Sequence, residues 1–154
     1  MTLNEKVILF FATGCFAGKI PYAPGTFGTF VAIPFVWVLT LMPPSLMAFY
    51  AICLILLAIY LSDRAEAILQ KKDPGCIVID EITGYVVAMT VVPISILSVL
   101  IGFVVFRFFD IIKLPPTKYF ENNFTGGAGI VLDDIAAGIL TAIVLRFLYS
   151  LGLF

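Results

Sequence analysis

The sequence contains no histidine, few charged residues and only three cysteines, and each shortage excludes a class of protein. Without histidine there is no histidine general base, no phosphohistidine intermediate and no imidazole ligand for a metal. Cys15, Cys53 and Cys76 lie far apart and form no CxxC pair, so the sequence contains neither a disulfide framework nor a zinc knuckle. A net charge of -1 argues against a nucleic-acid partner, which requires clustered Lys and Arg.

Apolar side chains are abundant instead. Hydrophobic residues make up 62% of the 154 residues and charged residues only 12%, with a mean hydropathy of +1.13. Residues 20–62 and 82–106 contain no charged side chain, and residues 135–154 contain one, Arg146. Since about 20 apolar residues cross a bilayer, we predict an all-α, multi-pass integral membrane helical bundle with about four or five membrane-embedded segments. The length predicts a single domain over residues 1–154.

Prolines predict where the apolar runs are divided. Pro43-Pro44 is predicted to separate a helix near residues 29–42 from one near residues 45–70, because proline lacks an amide hydrogen and disfavours helix at the preceding residue. Pro93 is predicted to divide residues 82–106 into a hairpin of two short helices.

The hairpin also agrees with the distribution of basic residues along the sequence. A single helix over residues 82–106 would put the basic residues that follow it, Lys118 among them, across the membrane from Arg64 and its neighbours, against the positive-inside tendency. A hairpin places all Lys and Arg residues except Arg146 on the cytoplasmic side. Arg146 either extends to the membrane surface or lines an interior polar site.

One short pattern occurs twice, as CIVIDEI at residues 76–82 and GIVLDDI at residues 129–135. Each copy is followed by an apolar run with a glycine, so both acid pairs are predicted to lie in the first turn of a helix at the membrane edge, where the helix dipole favours carboxylates. Helix capping is the structural explanation of such acids, but it accounts for one acid better than for two adjacent acids. Carboxylates are the ligands that Mg²⁺ prefers, and adjacent helical residues point about 100° apart. Each pair is therefore predicted to offer one direct metal ligand and one supporting or basic carboxylate; the members are Asp80, Glu81, Asp133 and Asp134.

A third motif combines both signs of charge. Arg107, Asp110 and Lys113 are spaced by three, which puts them near one face of a helix that Pro115-Pro116 is predicted to end. The structural interpretation is a salt-bridged helix end. The functional interpretation is that the two cations hold phosphate oxygens while Asp110 reaches the metal or positions the cations.

Two glycine-rich stretches precede predicted helices, at residues 24–29 (PGTFGT) and 126–129 (GGAG). The first can bind an anion through free backbone amides and the hydroxyl group of Thr26, and either can be a plain loop. Neither is a P-loop. No arginine lies six positions after any cysteine and no DxDx[TV] motif is present, which excludes two further phosphatase mechanisms. For phosphate chemistry, carboxylates with a metal remain.

These residues together resemble the phosphatidylglycerophosphatase A family. Residues 24–29, followed by AIP at 32–34, are similar to the family's PGTxGS…AIP block, and residues 77–81 are similar to its IVxDE. Residues 106–113 resemble FRxxDxxK and residues 126–134 resemble GGxGIMxDD, whereas the family's KPWP is KLPP here. The resemblance implies a bacterial inner-membrane enzyme that uses Mg²⁺ and removes the terminal phosphate of phosphatidylglycerophosphate. It implies that the acidic residues form the active site.

The leading hypothesis is hydrolysis of this lipid phosphomonoester on the cytoplasmic side. Mg²⁺ and a water nucleophile are organised by Asp80, Glu81, Asp133 and Asp134, joined by Asp110, while the phosphate is held by Arg107, Lys113, Lys19 and Thr26. An aspartate nucleophile is an alternative. The rival function is a small cation channel or carrier, in which ionisable residues well inside the spans would be expected. A lipid synthase of the CDP-alcohol transferase type is disfavoured because its signature, DGxxAR…GxxxD, is missing from the sequence.

Overall fold

The computed structural model describes residues 1–113 and 124–154, and this part of the chain is all helical. The α-helices are α1 (Leu3–Ala12), α2 (Pro24–Val38), α3 (Pro44–Leu69), α4 (Ile79–Met89), α5 (Ile96–Ile112) and α6 (Gly126–Ser150). Two short 3-10 helices, Ala17–Lys19 and Leu39–Leu41, accompany them. The predicted all-α class is confirmed. The predictions for Pro115-Pro116 and Lys118 concern residues outside the described part.

Three helices in the described part are long and apolar enough to cross a membrane: Pro24–Leu41, Pro44–Leu69 and Gly126–Ser150. Their outer surfaces carry large exposed apolar side chains, including Phe49 and Ile143, which suits contact with lipid. The shorter helices α4 and α5 form a hairpin between the second and third of these. The predicted multi-pass bundle is therefore confirmed.

The proline breaks lie where the sequence predicts them. Pro43 caps α3 and Pro44 is its first residue. Pro93 lies in the turn between α4 and α5, and Ser95 then caps α5 by accepting a hydrogen bond from the backbone N–H of Ser98 at 3.1 Å. One boundary differs: α2 begins at Pro24 rather than near Thr29, because proline has a helical φ and needs no N–H partner in a first turn.

The second acid pair is not in a first helical turn, and that prediction was wrong. Asp80 and Glu81 do lie in the first turn of α4. Helix α6 begins at Gly126, so Asp133 and Asp134 lie about two turns inside it. The GGAG stretch opens α6 and packs closely against α3, since a Cβ on Gly127 would lie 2.6 Å from the backbone nitrogen of Asp63.

Helix α4 is the centre of the bundle and packs most extensively on α6. The two helices cross at glycines, since a Cβ on Gly84 would lie 2.6 Å from the carbonyl oxygen of Asp134, and one on Gly138 would meet the carbonyl oxygen of Gly84. The fully buried Tyr85 donates a hydrogen bond to the carbonyl oxygen of Val99 at 2.6 Å, which ties α4 to α5. This crossing brings the start of α4 beside the acids of α6.

Candidate active site

The acidic residues singled out in the sequence converge on one cavity of about 340 Å³, between the starts of α2 and α4, the end of α5 and the second acid pair of α6. Arg107 and Lys113 line it too. The predicted site residues on its wall are Asp80, Glu81, Arg107, Asp110, Lys113, Asp133 and Asp134. Residues from three separate motifs thus meet in one place.

Three of the carboxylates form a compact group. One oxygen from each of Asp80, Glu81 and Asp134 lies within 4.8 Å of the other two. Asp80 Oδ1 and Glu81 Oε2 are buried and find no hydrogen-bond partner in the described residues. Leaving buried charged oxygens unpaired is costly, whereas a hard divalent cation would satisfy them. The donor set therefore fits a metal such as Mg²⁺.

Burial also affects the protonation of the first acid pair. Asp80 and Glu81 lie outside the three helices long enough to span the membrane. Burial, followed by the charge of Glu81, raises the pKa of Asp80 well above its ordinary value. Burial likewise raises the pKa of Glu81. Several buried carboxylates can be ionised together only when positive charge lies close to them.

Asp133 makes different contacts from the other acids. Its Oδ2 accepts a hydrogen bond from Lys113 Nζ at 3.1 Å, and its Oδ1 accepts one from the backbone N–H of Asp134 at the same distance. Asp133 lines the cavity but is not a member of the compact group. Asp133 therefore holds Lys113, at the end of α5, against the wall of the site through this hydrogen bond.

Arg107 lies between two acids of the site. Its Nη1 donates a hydrogen bond to Asp110 and lies 4.0 Å from Glu81 Oε1. Its Nε is buried without a partner in the described residues. The start of α2 approaches this pair closely, because Gly25 has no side chain: a Cβ there would meet Glu81 Oε1 and lie 2.7 Å from Arg107 Nη1. The predicted common face of Arg107 and Asp110 is confirmed by their contact.

Two predicted binding residues are placed elsewhere. Lys19 lines a neighbouring pocket. Thr26 is not among the residues that line the acidic cavity, and Gly25 occupies that position in the first turn of α2. Reasoning from the sequence missed Asp73, which lines the cavity from the α3–α4 loop and whose backbone N–H donates to Glu66 Oε1 at 3.1 Å. An acid before the Pro74-Gly75 turn was the available signal.

The fold and site together define a class: an all-helical membrane protein with a buried, metal-compatible carboxylate group beside an arginine and a lysine. The comparisons with known proteins then identify the family. A model of "PgpA: Phosphatidylglycerophosphatase A" matches residues 10–149. The chain belongs to the phosphatidylglycerophosphatase A family, as the sequence motifs indicate.

Curated relatives agree over most of the chain. It is 36% identical over 138 residues to phosphatidylglycerophosphatase A of Escherichia coli, covering 89% of this chain and 80% of that protein. The protein of the same name from Haemophilus influenzae is 36% identical over 135 residues, covering 86% and 83%. A Bacteroides thetaiotaomicron protein, 31% identical over 86% of this chain and 87% of its own length, carries the provisional name of a phosphatidylinositol-3-phosphatase. No solved structure matches this chain.

Proposed function

We propose that this chain is an enzyme that hydrolyses the terminal phosphomonoester of phosphatidylglycerophosphate to give phosphatidylglycerol and phosphate. The observation that carries the proposal is the group of Asp80, Glu81 and Asp134, whose oxygens lie within 4.8 Å of one another in a cavity that Arg107 also lines. Membership of the phosphatidylglycerophosphatase A family supports the reaction.

Mg²⁺ is the proposed cofactor, with Asp80, Glu81 and Asp134 holding it. When bound there, the ion would activate water and offset the charge that develops on the phosphoryl oxygens. Asp133 is proposed to act through Lys113, because its Oδ2 accepts the hydrogen bond of that ammonium group. In this proposal Asp133 is the supporting member of its pair, a choice that the sequence pattern left open.

The protein's own groups supply the remaining steps. Arg107 and Lys113 bind phosphate oxygens, and Asp110 keeps Arg107 in place through their ion pair. Water attacks phosphorus, and the bond from phosphorus to the lipid's glycerol oxygen breaks. One of the buried carboxylates takes the proton from water and passes it to the leaving oxygen.

The proposed setting is the cytoplasmic face of the bacterial inner membrane, with residues 1–154 acting as one domain. The exposed apolar surfaces of the three candidate spans support a position within the bilayer. In that setting the head group of a membrane phospholipid reaches the cavity while its acyl chains stay among lipids. The partner is therefore the lipid substrate itself.

Phosphate release by the purified full-length chain in detergent–lipid micelles tests this proposal. We expect release from phosphatidylglycerophosphate in Mg²⁺ and its loss when EDTA is added. Phosphatidylinositol 3-phosphate, assayed in parallel, decides between the two lipids in the relatives' names. Cation uptake by proteoliposomes without any phosphate release would contradict the proposal and support the channel or carrier alternative.

A further inference from the structure

A second pocket, of about 520 Å³, adjoins the acidic cavity. Lys19 and Lys71 line it, and we call it the basic pocket; among the described residues, no acidic side chain lines it. Pro24 and Gly75 line both the basic pocket and the acidic cavity, so the two spaces share a wall. The reaction proposed above makes no use of Lys71.

Two separate parts of the chain bring these lysines together. Lys19 ends the short helix Ala17–Lys19, and Lys71 follows α3 in the loop that leads to the first acid pair. The helix lies against that loop, since a Cβ on Gly18 would meet the carbonyl oxygen of Cys76. Lys19 Nζ also lies 4.8 Å from the centroid of the Phe16 ring, a cation–π contact that orients the ammonium group.

The two adjoining spaces have opposite electrostatic character. An anion entering the acidic cavity meets several carboxylates and requires a metal to offset them. The wall of the basic pocket contains two exposed lysines, and neither lysine forms an ion pair with an acid within residues 1–113 and 124–154. The basic pocket is thus suited to an anion that binds without a metal.

We propose that Lys19 and Lys71 bind a second phosphate of the same substrate, the phosphodiester that joins the head group to the diacylglycerol. The inference rests on the proposed function, which puts the terminal phosphomonoester in the acidic cavity. It revises the expected role of Lys19, from holding the terminal phosphate to holding the bridging one. The substrate class is then a phospholipid that carries both a diester and a monoester phosphate, and the two lysines determine that specificity.

Comparing two lipid substrates tests the role of these lysines. The purified full-length chain is assayed in Mg²⁺ on phosphatidylglycerophosphate, which has both phosphates, and on phosphatidic acid, which has only the monoester. Removing one charge-assisted hydrogen bond weakens binding about tenfold. We therefore expect kcat/KM for phosphatidylglycerophosphate to fall about 100-fold in the Lys19→Gln/Lys71→Gln variant. The fall should arise chiefly from a higher KM. The fall for phosphatidic acid is at least tenfold smaller. Lys6→Gln, on α1 and exposed, is the matched control. Equal falls for both lipids, or none, would overturn the proposal.

A binding measurement separates this inference from the proposed reaction. Short-chain phosphatidylglycerol, a diester without a monoester, is titrated into the protein in EDTA. We expect binding that weakens at least tenfold in the double variant. Equal binding by the double variant, or no binding by the wild-type chain, would contradict a diester site. If the chain bound the diester through the lysines yet hydrolysed neither lipid, only the proposed function would fail.

Discussion

The two acid pairs share one sequence pattern but occupy different positions in their helices. Asp80 and Glu81 open α4, where the helix dipole favours negative charge. Asp133 and Asp134 lie within α6, beyond the reach of that effect, and are kept by contacts inside the bundle. The pairs also contribute unequally to the site: both members of the first join the compact carboxylate group, but only Asp134 of the second. Equal motifs therefore do not imply equal roles.

The largest expected effect comes from the one member of the second pair that joins the compact group. Asp134→Asn removes a charged ligand while keeping the side chain's size, and we expect kcat for phosphate release to fall about 1,000-fold, the scale on which electrostatic groups act in catalysis. Asp133→Asn is the matched neighbour, and its loss is expected to be about tenfold, because it removes the negative charge that contacts Lys113 and leaves the compact carboxylate group intact. Equal losses in the two variants would contradict the unequal roles.

Arg107 tests the region where the first pair meets α5. Arg107→Gln removes the cation between Glu81 and Asp110, and we expect kcat/KM to fall about 100-fold. Arg107→Lys keeps the positive charge but lacks the planar guanidinium group, so its activity should lie between those of the wild type and Arg107→Gln. Steady-state phosphate release at varied substrate concentration measures both. Activity of Arg107→Gln equal to wild type would show that this ion pair is only structural.

The helix crossing that joins the pairs can be disturbed by one methyl group. In Gly84→Ala the new Cβ would approach the carbonyl oxygen of Asp134 to 2.6 Å, so α4 and α6 must separate. Overpacking of this kind costs about 1–3 kcal/mol, which should lower the thermal unfolding midpoint in detergent micelles. Ala48→Leu adds more bulk at an exposed position of α3 and should leave the midpoint unchanged. An unchanged midpoint in Gly84→Ala would refute the close crossing.

The smallest effect is expected far from both pairs. Arg146 lies about 18 Å along α6 from Asp134 and is exposed, donating a hydrogen bond to the carbonyl oxygen of Val91 at 3.3 Å. Its contact with the Tyr149 ring fits a side chain extending toward the membrane surface. We expect Arg146→Gln to change kcat/KM by less than about twofold in the same assay, since an exposed hydrogen bond contributes little. A loss of about tenfold or more would indicate a role for this end of α6 in the reaction.

The parts of the structure that depend on local chemistry were predictable. Proline acts on its own residue and the one before it, so the breaks at Pro43-Pro44 and Pro93 followed from the sequence. The shared face of Arg107 and Asp110 followed from helical spacing. The start of α6 did not, because the role of Gly127 depends on the backbone of α3.

The division of roles within the site depends on tertiary packing. Which acid of each pair faces its partners is decided by how α4 crosses α6, and no pattern within one helix encodes that crossing. Asp73 reaches the cavity through a loop whose shape depends on Glu66 of α3. Thr26 carries a hydroxyl group suited to phosphate, yet the turn of α2 places Gly25 on the wall of the cavity instead.

A Mg²⁺ titration of phosphate release tests the proposed carboxylate metal site most directly. It compares the wild-type chain, Asp134→Asn and Asp133→Asn on phosphatidylglycerophosphate, each beginning in EDTA. We predict that the wild type releases no phosphate without Mg²⁺. Asp134→Asn should need a much higher Mg²⁺ concentration and show little activity. Asp133→Asn should need nearly the same Mg²⁺ concentration as the wild type. Full wild-type activity in EDTA, or one common Mg²⁺ requirement in all three proteins, would contradict the proposed metal site.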